Sequence, residues 1–149
     1  MSSFKLQQPV THIPSFDEYE ITGHSLKSKL KALGLEVPLE MLDYTYYHTD
    51  LEGWGKILYD LVLKSSLYKT DRFDCENYAL RVMNLCAERY GLNAMGLVIG
   101  DMSLGRHGFN IFYCGDDHFM LFEPNEGFGY DGEAFEIGGH GYQPNLVLI

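Results

Sequence analysis

The sequence predicts an α+β fold, in which N-terminal helices pack on a C-terminal antiparallel β-sheet. Two observations predict it. Before Gly91, apolar residues recur at the three- and four-residue spacing of amphipathic helices, and after Gly91 they form short runs typical of strands. The 149 residues contain no internal repeat or linker-like tract. We therefore expect a single domain, 1–149, with a helical part at 1–66 and a long helix plus the sheet at 67–149.

The first 66 residues are expected to be mainly helical. Residues 1–24 form an irregular or short-strand lead-in, because prolines and a glycine interrupt them. Ser25 then caps a short helix, and Pro38 suits the first turn of a second that continues to Tyr46. The pattern from Leu51 to Ser65, LEGWGKILYDLVLKS, predicts a third helix.

The longest predicted helix lies within Arg72–Gly91, RFDCENYALRVMNLCAERYG. Asp74 is a good N-cap residue, and Gly91 suits a left-handed C-cap. Cys75 stands in the first turn, where unpaired N–H groups and the helix dipole favour a thiolate. This position makes Cys75 a candidate nucleophile. The alternative is a small apolar residue that begins a buried stripe shared with Ala79, Val82, Cys86 and Tyr90.

The sheet is expected after Gly91. The run at 94–100 predicts a buried strand, and GFNIFYC and HFMLFEP predict a hairpin that turns at 115–117. The Asp131–Gly132 pair marks a further turn, and GYQPNLVLI at 141–149 predicts a final strand.

The hairpin places a histidine and a carboxylate on one face. His107 has the parity of the first strand's inward residues, and Glu123 has that of the second strand's. If opposite residues sum to 230, His107 faces Glu123, and if they sum to 232, it faces Asn125. Either partner orients one imidazole nitrogen and leaves the other to face a thiol. Two partners for His107 therefore stay open.

Composition excludes several classes of protein. The formal net charge is −10 and the basic residues form no dense cluster, so no nucleic-acid partner is expected. No apolar run approaches the ~18–20 residues that span a bilayer, and no signal-peptide core is present, so we expect no membrane partner and a cytoplasmic protein. The three cysteines lack metal-ligand spacing, which favours a reducing compartment without a zinc site.

Four segments together, FDCENYA, GRHGFNIF, LFEPNEG and YQPNLVLI, resemble papain-like and transglutaminase-like cysteine enzymes. Within that group they look most similar to the C-terminal cysteine-protease domain of the fairy-ring mushroom agglutinin and its phage and bacterial relatives. The resemblance runs from Tyr68 to Ile149. It implies a papain-like fold with Cys75 as nucleophile, His107 as general base and Glu123 as the residue that orients His107.

The function implied is a cysteine hydrolase or peptidase that cleaves an amide of a peptide or protein through a thioester acyl-enzyme. The same triad would serve transglutaminase- or deamidase-type acyl transfer. A different class is also open, a phage or bacterial accessory protein that binds a partner without catalysis. The sequence requires no cofactor, and it gives no oligomeric state.

Some roles stay open at this point. The resemblance implies a glutamine that donates to the oxyanion, but the stretch LYKTDRF has none, and Tyr68 lies near that place. Asn110 either contacts substrate or is solvated, and Trp54 either shields the site or packs in the core. Calcium is implied by the resemblance alone, with no ligand assigned, so the metal site is unknown.

Overall fold

The computed structural model describes residues 13–130 and 132–149. The elements of those residues are β1 (Tyr19–Thr22), α1 (Gly23–Ala32), β2 (Thr45–His48), α2 (Leu51–Ile57), α3 (Cys75–Tyr90), β3 (Met95–Met102), β4 (Gly105–Tyr113), β5 (Phe119–Phe122), β6 (Ala134–Phe135) and β7 (Gln143–Leu148). Short 3-10 turns follow α2 and precede α3 and β7.

The strands form two antiparallel sheets. The larger has the order β6-β5-β4-β3-β7, and β1 pairs with β2 in a separate ribbon. Because side chains alternate along a strand, successive residues of β4 enter different cores. Phe109 and Ile111 pack with α1, whereas Phe112 packs with α2 and α3. The larger sheet therefore lies between two apolar layers.

Helix α3 is bounded by a capping residue at its N-terminus and a glycine at its C-terminus. Asp74 is in an extended conformation and forms a capping box with Asn77, whose side chain accepts from the Asp74 N–H at 3.2 Å. Gly91 ends the helix at φ 69°, in the left-handed region that glycine adopts without steric cost. Both ends lie where the sequence predicts them, so Cys75 is the first residue of the helix.

The predicted fold class is wrong. Instead of a helical layer at 1–66 on a C-terminal sheet, the described chain has seven strands and three α-helices, and two of the strands precede α2. The segment expected to be helical from Pro38 to Tyr46 leads into β2, which pairs with β1 from Tyr19↔His48 to Thr22↔Thr45. The sequence TYYH at 45–48 explains the error, because β-branched and aromatic residues fit a pleated surface better than a helix.

The helix expected from Leu51 to Ser65 is also shorter than its apolar pattern. Asp50 caps α2 by accepting from the Gly53 N–H at 2.9 Å, but the α-helix ends at Ile57 and a 3-10 turn continues to Leu61. The later residues leave the helix because Leu63 pairs with the chain beside Asn125. The N–H of Leu63 donates to Pro124 O at 2.7 Å, and the N–H of Glu126 donates to Leu63 O at 3.0 Å.

Candidate functional site

A glycine lets strand β4 approach the N-terminus of α3. A Cβ built on Gly108 would lie 2.8 Å from the backbone nitrogen of Glu76 and 2.9 Å from its Cα. Neither atom belongs to a flexible side chain, so only glycine permits this approach. The contact places His107, the residue before Gly108, beside Cys75 of the first helical turn.

His107 is hydrogen-bonded to Glu123. The distance from Nε2 to the Glu123 Oε2 is 2.7 Å, and both residues are buried, with 7% and 0% of their surfaces exposed. A pair this close and this well shielded from water fixes the plane of the imidazole ring. Since Nε2 is bonded to Glu123, Nδ1 is the nitrogen that remains for Cys75.

The contact between His107 and Glu123 runs diagonally across the strands β4 and β5. Strands β4 and β5 pair from Asn110↔Phe122 to Tyr113↔Phe119, so opposite residues sum to 232. Extrapolated, that register sets Glu123 opposite Phe109, two residues from His107 on the same face. Diagonal neighbours are about 7–8 Å apart, which a glutamate side chain spans. The parity argument for His107 and Glu123 holds, and the register of 230 that motivated it is wrong.

Asn125, the alternative partner of His107, makes its hydrogen bonds to other residues. The chain leaves the sheet at Pro124, which accepts from Leu63, before Asn125 reaches the position that the register would give it. The Asn125 side chain instead accepts from the Gly127 N–H at 2.9 Å. Its backbone N–H donates to Glu123 Oε1, also at 2.9 Å.

Glu123 is held by three donors. His107 and the hydroxyl of Tyr142 both donate to Oε2, the latter at 2.6 Å, and the Asn125 N–H donates to Oε1. Hydrogen bonds of this kind offset the cost of burying a carboxylate. Burial, followed by the charge of Glu123, raises the pKa of Tyr142 well above its usual value, so its hydroxyl remains a donor.

The imidazole of His107 is poised to carry a positive charge. Burial is the largest single influence and lowers its pKa, but hydrogen bonds to Cys75 and Glu123, with the charges of both, raise it to about 9. The ring of Phe128 lies 5.0 Å from the imidazole, centroid to centroid, and a π-system at that distance favours a cation. Protonated imidazole next to sulfur stabilises a thiolate.

Cys75 is partly exposed, and its thiol has a second polar neighbour. The Sγ donates to Glu76 Oε2 at 3.2 Å. A carboxylate there disfavours a thiolate, whereas the helix N-terminus and the His107 imidazolium favour it. The sulfur of Cys75 therefore lies between a carboxylate and an imidazole that act on it in opposite directions.

Of the three remaining candidate site residues, Tyr68 lies near Cys75, whereas Asn110 and Trp54 are buried in the core. Tyr68 is about half exposed. Slight burial and then the charge of Cys75 raise its pKa, which indicates that the hydroxyl lies on the Cys75 side of the molecule. Asn110 is fully buried and donates to Ala79 O and Gly96 O at 2.9 and 3.2 Å, so it ties α3 to β3 and does not reach solvent. Trp54 is buried against Phe112 and donates to Tyr113 O, which places it in the core.

Sequence reasoning missed Gly108, Tyr142 and Glu76. The first would have required the helix–strand approach, and the second lies 19 residues beyond its partner in a chain with 11 tyrosines. Only Glu76 was within reach, as the next residue after the cysteine. Within residues 13–130 and 132–149, no three His, Cys, Asp or Glu side chains cluster closely enough to hold a metal ion. The same part of the chain has no helix both long and apolar enough to cross a membrane.

Comparisons with known proteins give a likeness in structure only. No family model matches the chain, and no curated protein matches its sequence. The structure of PSL1a in complex with E64 superposes with a TM-score of 0.64 at 20% identity, covering 87% of this chain and 51% of that one. Polyporus squamosus lectin, bound to the epitope Neu5Aca2-6Galb1-4GlcNAc, superposes with a TM-score of 0.58 at 18% identity, covering 87% and 49%.

These matches correct the family drawn from the sequence. The similar structures are those of Polyporus squamosus lectin, and neither is described as a papain-like or transglutaminase-like enzyme or as a cysteine protease. The resemblance failed because it rested on four short segments. Calcium, which that resemblance alone implied, stays untested. The chain spans about half the length of the lectin chains that it matches, and it shares its fold with that part of them.

Proposed function

We propose that this protein is a cysteine-dependent hydrolase of amides, with Cys75 as nucleophile, His107 as general base and acid, and Glu123 as the residue that orients His107. The single observation that carries the proposal is the arrangement of Cys75, His107 and Glu123: Gly108 brings His107 beside the partly exposed Cys75, and His107 is hydrogen-bonded to the fully buried Glu123. A nucleophile, a base and an orienting group in this order are what thiol catalysis requires.

The reaction would proceed in two halves. The Cys75 thiolate attacks the amide carbonyl carbon, and the carbonyl electron pair moves to oxygen. The Nδ1–H of His107 gives its proton to the amide nitrogen as the C–N bond breaks, which leaves a thioester and a free amine. Water then attacks the thioester while His107 takes its proton, and the carboxylic acid departs from the restored thiolate. An amine in place of water would give acyl transfer at the same site.

The oxyanion needs donors beside Cys75. The backbone N–H of Cys75 belongs to the first turn of α3 and is directed out of the helix N-terminus. The hydroxyl of Tyr68 is the second candidate donor: burial and then the charge of Cys75 raise the pKa of Tyr68, so the hydroxyl stays protonated beside the site. Loss of one oxyanion donor costs on the order of 2.7–4 kcal/mol of transition-state stabilisation, so Tyr68→Phe should lower turnover by about 100-fold or more if Tyr68 serves this role.

Selective alkylation tests the nucleophile without a known substrate. At pH 6, iodoacetamide should label Cys75 faster than an unperturbed thiol, which is largely protonated there. Cys86 and Cys114 are internal controls, because burial raises the pKa of each thiol to about 12. The His107→Ala variant should lose the fast labelling. Labelling of Cys75 at the rate of a free cysteine would refute the hydrolase proposal.

A second reagent comes from the comparisons. PSL1a has been described in complex with E64. E64 is an epoxide, and a thiolate opens an epoxide to form a thioether while the released alkoxide takes up a proton. Mass spectrometry should find one E64 adduct per chain, on Cys75, in the wild-type protein and none in Cys75→Ala. The variant should melt close to the wild-type temperature, because a first-turn position tolerates alanine.

Glycan binding is the second candidate function. The observation that favours it is the structural likeness to Polyporus squamosus lectin bound to a sialylated trisaccharide. Calorimetric titration with Neu5Aca2-6Galb1-4GlcNAc separates the two functions. Saturable binding that survives Cys75→Ala would support a lectin, whereas no heat of binding together with fast thiol labelling would support the hydrolase.

A further inference from the structure

The hydroxyl of Tyr142 occupies the same carboxylate oxygen that His107 uses. Its oxygen lies 2.6 Å from Glu123 Oε2, and His107 Nε2 lies 2.7 Å from that atom. The second carboxylate oxygen has its own donor, the N–H of Asn125. Two donors on one oxygen share its negative charge, so each weakens the hydrogen bond that the other makes.

The ring of Tyr142 is held as firmly as its hydroxyl. It is fully buried and meets the ring of Phe109 edge to face at 4.8 Å and that of Phe135 at 5.2 Å. It also stands perpendicular to the imidazole of His107, at 5.6 Å and 86°. A rotamer fixed on several sides presents the hydroxyl at one place, which sets where Glu123 Oε2 lies.

We propose that Tyr142 is a positioning residue of the Cys75 site, which holds Glu123 in the orientation that His107 needs and takes up part of the charge on the shared oxygen. This inference rests on the proposed function. Tyr142 acts through Glu123 and does not touch the reacting atoms. The proposal gives the buried hydroxyl of Tyr142 a role that the catalytic steps themselves do not require.

Removal of the hydroxyl has two consequences with different signatures. Glu123 Oε2 loses a donor, so its bond to His107 strengthens and the imidazolium becomes harder to deprotonate. Glu123 also gains freedom to rotate, so the imidazole is less well aligned with sulfur. A residue that only fills space would produce neither change when it is replaced by the nearly isosteric phenylalanine.

The test is Tyr142→Phe, with Tyr113→Phe as the matched control. Tyr113 is a buried tyrosine of the same apolar layer, and it does not contact Glu123. NMR titration of His107 in the Cys75→Ala background, where sulfur does not contribute, should show its pKa raised by about one unit when Tyr142→Phe is added. In the chain that retains Cys75, the rate of its alkylation at neutral pH should fall about 10-fold, because the misaligned imidazolium stabilises the thiolate less well. Tyr113→Phe should change neither quantity.

The outcomes separate this inference from the hydrolase proposal. If wild-type Cys75 labels rapidly and Tyr142→Phe leaves both the pKa of His107 and the labelling rate unchanged, Tyr142 has no positioning role. If wild-type Cys75 labels slowly, the hydrolase proposal fails first. A measurement on the wild-type protein covers the case in which the variant does not fold. The Tyr142 hydroxyl proton should exchange slowly with solvent and show a nuclear Overhauser effect to the His107 ring, and its absence would overturn the inference.

Discussion

Two buried histidines, His48 and His107, show how the partners of an imidazole decide its charge. The two side chains are buried to the same degree, with 6% and 7% of their surfaces exposed, and aromatic rings flank both. For His48, burial lowers the pKa and outweighs both the backbone carbonyl of Thr49, at 3.3 Å from Nδ1, and the charge of Asp50. His107 has a carboxylate and a thiol, which overcome burial and raise its pKa to about 9.

The difference teaches that burial by itself favours the neutral form of a histidine. Desolvation acts on both rings in the same direction, against the charged form. A buried carboxylate acts in the opposite direction because water does not screen the pair. The raised pKa of His107 is therefore a property of its partners as much as of the imidazole.

Glu123→Ala should have the largest effect, because it would make His107 resemble His48. The variant leaves the imidazole, the hydroxyl of Tyr142 and the N–H of Asn125 without their acceptor. Breaking a buried pair of this kind costs about 3–5 kcal/mol. Urea denaturation should measure this loss, and NMR titration should show that the pKa of His107 falls relative to the wild-type protein.

Glu136→Ala is the matched control for that variant. Glu136 pairs with His118 at 2.8 Å, nearly the distance in the His107 pair, but both partners reach solvent. The loss of such a surface pair costs at most about 1 kcal/mol. Equal destabilisation by the two variants would contradict the role assigned to burial.

Gly108→Ala should separate the thiol from the imidazole without removing either. The new Cβ would clash with the backbone of Glu76, so α3 or β4 must move. We expect the labelling rate of Cys75 to drop about 10-fold or more and the pKa of His107 to decrease, while the pKa of His48 stays unchanged. Gly129→Ala, whose Cβ would meet nothing within 4 Å, should preserve all three quantities.

Stability should also respond to pH. Because folding raises the pKa of His107, its contribution is present below the unfolded pKa of about 6.5 and is lost as pH rises toward 9. Because folding lowers the pKa of His48, stability should fall as pH drops below about 6.5. Urea midpoints from pH 4 to pH 10 should show both limbs, and His48→Phe should flatten the acid limb only. An unchanged acid limb in His48→Phe would contradict the assignment.

The parts of the fold that depend on local chemistry could be predicted. The capping residue Asp74 and the glycine at 91 mark the two ends of helix α3 by local sequence alone, so the first residue of the helix, Cys75, could be predicted. The shared parity of His107 and Glu123 also followed, because parity is a property of each strand alone. The fold class could not be predicted, since short apolar runs before Leu51 suit helices and strands equally well.

The site beyond these residues depends on contacts distant along the chain. The register of β4 against β5 has no local signal, which is why Asn125 remained an alternative. The position of Asn125 is decided by Leu63, which lies 62 residues earlier and pairs with the residues on both sides of Asn125. Tyr142 reaches Glu123 only because β7 joins the sheet at β3 and brings the end of the chain back to the site.

The pairing of Leu63 with Pro124 and Glu126 has a consequence for engineering. Length changes at the hairpin tip, 115–117, fall at the other end of β5 from Glu123. Asp116 and Asp117 are exposed there, the ion pair of Asp117 with Lys29 is the contact at risk, and exposed tips accept inserted segments. The same insertion directly after Glu123 would break the hydrogen bonds of Leu63 with Pro124 and Glu126, and it would move the Asn125 N–H away from Glu123 Oε1. A peptide tag therefore belongs at the tip, where the protein can be captured or labelled while the hydrogen bonds of Glu123 stay in place.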